Sequence, residues 1–300
     1  MTKNDDAVST VIAMMLILGI IVTLFAIYSA TYLPGLKQQS EIDHSREVAN
    51  AFVRFDSDID HVVSHKKAAR FSEPFSLGGG DILLSPVRSS GLVSVEDRPL
   101  VNVTVTNGTG ETVKTVTLNT SLVSVSYVPS FTSWEPQGYR WECGVVLVTK
   151  DDVAVPQSSR YNTWDEASGD CGAFLERFID LDRSGDGSEV TITTVNLTRK
   201  KDESFITGSG IATLEVNATV LEEKTIEEVT KITFENCTVG DDDDAVSVMM
   251  GEILGERCTA VAGIATYNSP AEALHTLTFN SPVNVVNVTL RVVNVEVSVC

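Results

Sequence analysis

Hydrophobic and polar positions divide the chain into three textures. Residues 7–36 carry no charged side chain, and the run VIAMMLILGIIVTLFAIY is almost wholly apolar. At about 1.5 Å per residue, 7–32 would extend roughly 39 Å as a helix, more than the ~30 Å hydrocarbon layer of a membrane. From 37 to 70 the apolar residues thin out, and Val48, Phe52, Phe55, Ile59 and Val62 step by four, three, four and three. That spacing puts them on one helix face, with Glu, Asp, Arg and Lys on the others. Pro34 lacks a backbone N–H and predicts a kink between the two helices.

Beyond residue 71 the pattern alternates. LVNVTVT, KTVTLN, LVSVSY, EVTITTVNLT, ATLEVNATV and VNVVNVTLRVVNVEVSVC read as strands with one buried face. Asn107-Gly108 predicts a hairpin turn. LGGGD at 77–81 reads as a turn, because no Gly-Lys-Ser/Thr follows it. Two helices are expected in this part, CGAFLERFIDLD and AVSVMMGEILGERC, the second led by four Asp that suit a helix N-terminus. The fold class is therefore mainly β: a long N-terminal α-helix (transmembrane, then amphipathic) followed by a β-sandwich-like ectodomain. The expected divisions are a short leader at 1–6, a membrane helix at 7–36, an amphipathic helix at 37–70 and a β-rich domain at 71–300. The last has room for two lobes.

A secretory signal would have a basic start and a shorter apolar core, whereas this start has one Lys and two Asp. The apolar run is thus expected to anchor the chain in a lipid membrane, crossing once. Asn-x-Ser/Thr sequons fall at Asn102, Asn107, Asn119, Asn196, Asn217, Asn236 and Asn287, half of the fourteen Asn, where chance would give about three. A Thr-rich β protein would also produce some, but an exported, glycosylated ectodomain is the expectation. Five cysteines show neither a C-x-x-C pair nor a nearby zinc-spaced His. Cys143–Cys171 and Cys237–Cys258 are the expected local disulfides, leaving Cys300 over. A net charge of -19 argues against nucleic acid as a partner, since phosphate contacts demand clustered Lys and Arg.

Candidate chemistry is sparse. His61 and His65 have a helical metal-ligand spacing, but Lys66 and Lys67 adjoin them and no Glu follows His61. No G-x-S-x-G nucleophile elbow occurs, and no enzymatic activity is expected. In DLDRSGDGSEV, Asp180, Asp182 and Ser184 match the first half of a calcium loop, and Asp182, Ser184 and Asp186 fit a second register. Neither register places a Glu at the twelfth position. An acidic turn between a helix and a strand accounts for the same residues. Trp134, Tyr139 and Trp141 form an aromatic block that reads either as a sugar-stacking platform or as core filler.

The stretch DDAVSTVIAMMLILGI resembles the hydrophobic N-terminus of archaeal type IV pilin-like proteins, in which an Ala-Val-Ser-Pro-Val-Ile-Gly-type run follows a short charged leader. FSLGGGDILLSPVRSSG and SYVPSFTSWEPQGYRWECGVVLVTK are similar to blocks of archaeal pilin-like surface proteins. The N-terminal likeness covers about thirty residues, with Thr10 and Ala13 standing where that run has Pro and Gly. No acidic residue lies between 7 and 39, so the glutamate near the mature N-terminus of bacterial pilins has no counterpart. The resemblance implies a prepilin peptidase trimming the leader before Ala7, and a homopolymer whose core is built from 7–32. It implies a filament subunit of the cell surface. The alternative is an anchored monomer whose ectodomain binds carbohydrate or another surface.

Overall fold

The computed structural model describes residues 5–79, 88–108, 114–151, 153–185, 187–237, 245–261, 263–271, 273–279 and 286–300. Helix α1 (Asp5–Ile27) passes through a π-helical turn (Tyr28–Tyr32) into α2 (Leu33–His65). The kink expected at Pro34 falls beside a π-helical turn, where the regular i→i−4 ladder is broken. The Leu33 N–H instead reaches the Tyr28 carbonyl, five residues back, and this widened turn accommodates the missing proline donor. Lys66, at φ 50°, closes α2 in the left-handed region. The amphipathic helix therefore stops short of residue 70, and Ala69 already belongs to a strand.

The strands are β1 (Ala69–Ser76), β2 (Ser90–Asn107), β3 (Lys114–Ser130), β4 (Gly138–Glu142), β5 (Val145–Lys150), β6 (Val153–Pro156), β7 (Ile179–Arg183), β8 (Glu189–Arg199), β9 (Phe205–Gly208), β10 (Ile211–Val220), β11 (Lys224–Asn236), β12 (Thr266–Ala271), β13 (Leu274–Thr278) and β14 (Val286–Val299). Helices α3 (Trp164–Leu175) and α4 (Ala245–Val261) interrupt them. The main path runs β1-β10-β14-β11-β2-β3-β4-β5-β6. β11 joins its two groups, since its first half pairs with β14 and its second half with β2 and β13. On its other edge β14 takes β8 in parallel. Residues alternate between buried and outward along β2, β3 and β10, as period-2 patterning requires.

Local chemistry explains where the reading of the sequence was displaced. Asn107 pairs with Lys114 across a hairpin, so the loop spans six residues rather than two. Helix α3 begins upstream of the expected CGAFL, because the Thr163 hydroxyl caps it by accepting from the Glu166 N–H. The alternating IDLDR then leaves the helix and forms β7. Cys143 (φ 55°) and Gly144 (φ 72°) make a two-residue, left-handed turn between β4 and β5. Cys143 is bonded to Cys171 of α3, as expected. The Cys237–Cys258 pairing is not formed: Cys258 is buried on the inner side of α4 and Cys237 is half-exposed beyond β11. The four Asp expected to lead α4 lie outside the described residues.

One contiguous core runs through the β domain, and α2 is part of it. Phe52 meets Phe75 of β1 and Tyr139 of β4, with ring centroids 6.3 and 6.1 Å apart. Phe55 stands edge-on to Trp141 at 5.4 Å, and Trp141 to Phe174 of α3 at 5.8 Å. The helix thus packs against β1 and β4 together. Removing a fully buried Phe here forfeits both transfer energy and packing. Phe55→Ala should lower the unfolding free energy of the intact protein in detergent by about 3–5 kcal/mol, read by denaturant titration of the tryptophan signal. A loss under about 1 kcal/mol would show that α2 is not core.

Candidate functional site: the apolar stem and its polar collar

Every large apolar side chain between positions 11 and 27 is more than half exposed, from 52% at Phe25 to 72% at Met14. This stem has no polar face, and two of its threonine hydroxyls turn to the backbone: Thr23 donates to the Gly19 carbonyl and Thr31 to the Ile27 carbonyl. Among the described residues it is the one helix long and apolar enough to cross a membrane. Among the described residues, nothing of the β domain covers it.

Where the helix enters the β domain, the first buried residue is a carboxylate. Glu41 is 0% exposed. It lies on the same helix face as Val48, Phe52 and Phe55, seven residues before the first of them. One oxygen accepts from Ser89 Oγ (2.5 Å), the Thr132 N–H (2.8 Å) and Thr132 Oγ1 (3.0 Å); the other accepts from the Ser133 N–H (2.8 Å). Burial alone would raise its pKa, but these donors together outweigh burial and hold the carboxyl below its ordinary 4.5.

Two further contacts complete the collar. Tyr127 gives its proton to the Leu77 carbonyl at 3.0 Å, so His44 Nε2, 2.9 Å from the same hydroxyl, is the donor to it. Burial lowers the pKa of His44, against the opposing pull of Glu47, the Leu77 carbonyl and Glu41, and keeps the ring neutral. Ser45 Oγ lies 3.0 Å from the Tyr139 hydroxyl. A side chain on Gly79 would strike His44, and one on Gly78 would strike the Ser89 backbone, which explains the glycines at 78 and 79. The two blocks picked out separately in the sequence, 75–91 and 126–150, therefore converge on one turn of helix.

A second set of polar contacts fastens the far half of α2. Asp56 accepts from Trp141 Nε1 at 2.8 Å and pairs with Arg160; Arg177 pairs with Asp60, and Lys66 with Asp180. Burial raises the pKa of Asp56 despite these partners. The groove between α2 and α3, lined by Asp56, Asp60, Arg160, Asp170 and Arg177, encloses about 160 Å³. Its two arginines each pair with a carboxylate of α2, which makes it a clamp on the helix.

The other expected sites are dispersed. Asp180 and Asp182 sit on β7, Asp180 is taken by Lys66, and Ser184 Oγ accepts from the Glu189 N–H. Asp186 lies outside the described residues. The described part of the calcium pattern is thus a hairpin between β7 and β8, and among the described residues no three His, Cys, Asp or Glu side chains are grouped to hold a metal ion. His61 and His65 stack ring on ring at 4.1 Å. Trp141 and Tyr139 are buried while Trp134 is 38% exposed, so the three make no common sugar platform.

Sequons separate by environment. Asn119 and Asn217 are exposed on strand faces. Asn102 donates to Glu235 and Asn107 to the Glu227 carbonyl, and Asn287 is half-buried. Asn196 bridges Ser121 and Asn294, and Asn236 is buried with its amide on the Ser247 carbonyl. No family, curated protein or solved structure matches the chain.

Because the Glu41 pKa is depressed in the fold, its contribution to stability is present above the unfolded pKa and is lost as pH falls through the folded one. Stability of the intact protein should therefore drop as pH falls below about 4.5. In Glu41→Gln it should be lower at pH 7 by about 1.5–3 kcal/mol, since an amide presents donors to donors, and that variant should lose part of the acid slope. Parallel pH–stability curves for variant and wild type would contradict this role.

Proposed function

We propose that the chain is a membrane-anchored structural subunit of the cell surface, of the archaeal type IV pilin-like kind. In this reading the stem sits in the lipid bilayer after synthesis, a prepilin peptidase trims the leader, and stems of identical subunits then pack as the core of a filament. The β ectodomain faces outward and carries sugar on its accessible sequons. One observation carries the reading: a stem apolar on every side is continuous with the helix that forms part of the ectodomain core. An all-round apolar helix requires an apolar surrounding, which lipid or like helices supply. The Cys143–Cys171 bond fits an oxidising compartment outside the membrane.

Val11→Glu tests assembly against anchoring. A carboxylate near the end of the stem can slide to the membrane surface in an isolated anchor, but a close-packed helix core holds it away from water at a cost of several kcal/mol. Sheared surface material from cells carrying the variant should yield about tenfold less pelletable subunit, or lower still, with membrane retention unchanged. Equal pelleting, or wild type that never yields a multimer, would contradict the filament reading.

Glycosylation is tested by mass spectrometry of peptides from native material. Asn119 and Asn217 are expected to carry sugar, and Asn236 and Asn196 to be bare. Occupied Asn236 with bare Asn119 would reverse the assignment.

A further inference from the structure

We propose that Glu41 is an alignment lock, a positioning residue that fixes the direction of the stem relative to the ectodomain; its purpose rests on the reading of the stem as an assembly element. Between positions 10 and 40 no residue of the helix is buried, so Glu41 is where the ectodomain first grips it. On the apolar stripe at this position, Leu or Val would bury without any partner, as Val48 does seven residues later. A carboxylate there is costly unless its donors are held in place, and here four are.

Those donors come from two segments far apart in sequence, Ser89 before β2 and Thr132-Ser133 after β3. His44 and Ser45 reach two further strands, β3 and β4, through Tyr127 and Tyr139. Apolar packing tolerates small rotations and slides, whereas hydrogen bonds weaken steeply with angle. Rotating or sliding the helix would unpair Glu41, His44 and Ser45 together, and each would be left buried without its partner. Three polar anchors within five residues thus define both the rotation and the height of the stem. Identical subunits stack in a regular lattice only if each presents its ectodomain at the same attitude to its stem. The collar supplies that constancy, while the ion pairs farther along α2 hold the helix down.

The test measures the junction itself, in the full chain as monomers in detergent micelles. Nitroxides are attached through unnatural ketone side chains at positions 30 and 119, and pulsed dipolar spectroscopy gives the distribution of distances between them. Wild type should show a narrow distribution. Glu41→Ala should at least double its width, with amide exchange at Thr132 and Ser133 accelerated tenfold or more and exchange along β14 unchanged. The double variant Ser89→Ala/Thr132→Val removes donors from the other side, and broadens the distribution even if Glu41→Ala fails to fold. Unchanged width in the double variant, or a wild-type distribution already as broad as the variants, would overturn the lock. Wild type that keeps a narrow distribution but never pellets as a multimer would support the lock and remove the filament reading.

Discussion

A single helix here lives under two incompatible solvent requirements. Between positions 11 and 27 its large side chains are apolar all round and uncovered; from Val48 to Val63 its apolar side chains lie in the protein core. No one medium satisfies both halves, because water penalises the first and lipid cannot supply the strands that the second packs against. The helix must therefore cross a boundary between the two, and the π-helical turn at Tyr28–Tyr32 with the polar stretch down to Ser40 occupies that crossing. The rest of the structure follows from where the β domain begins to grip.

That grip is polar before it is apolar. Glu41, His44 and Ser45 precede Val48 and Phe52 on the way in, and each is matched by a strand or loop residue. Farther along, Asp56, Asp60 and Lys66 alternate with the apolar stripe and pair with Arg160, Arg177 and Asp180. Exposed pairs contribute little to stability, but Asp56 is buried, and removing its partner would strand a charge in the core. In a chain of net charge -19, Arg160 and Arg177 are thus engaged in holding α2.

The broad architecture was legible because its signals are long. The uncharged stem, the stripe from Val48 to Val62 and the alternating strands each repeat over many residues, so period alone separates them. Helix ends were less legible: the start of α3 depends on one threonine cap, and β7 on five residues that fit either period. The collar was half-legible. Continuing the stripe backward from Val48 lands on Ser45 and Glu41, and a polar pair on an apolar face was the available signal. Their partners were not readable, since Ser89, Thr132 and Tyr139 reach them through tertiary pairing with no local trace. Sequons and the aromatic block left two readings open for the same reason, because the motifs at Asn236 and Trp141 say nothing of burial.

The central claim is that the uncovered stem is satisfied by stems of other copies, with the ectodomain held rigidly outside. Electron cryo-microscopy of material sheared from the native cell surface tests it most directly. The account predicts helical filaments with a core of close-packed helices made from 7–32 and an outer layer of β domains, each meeting its stem at the Glu41 collar. Single copies held in membrane fragments, with the stem surrounded by lipid and no ordered neighbours, would contradict it.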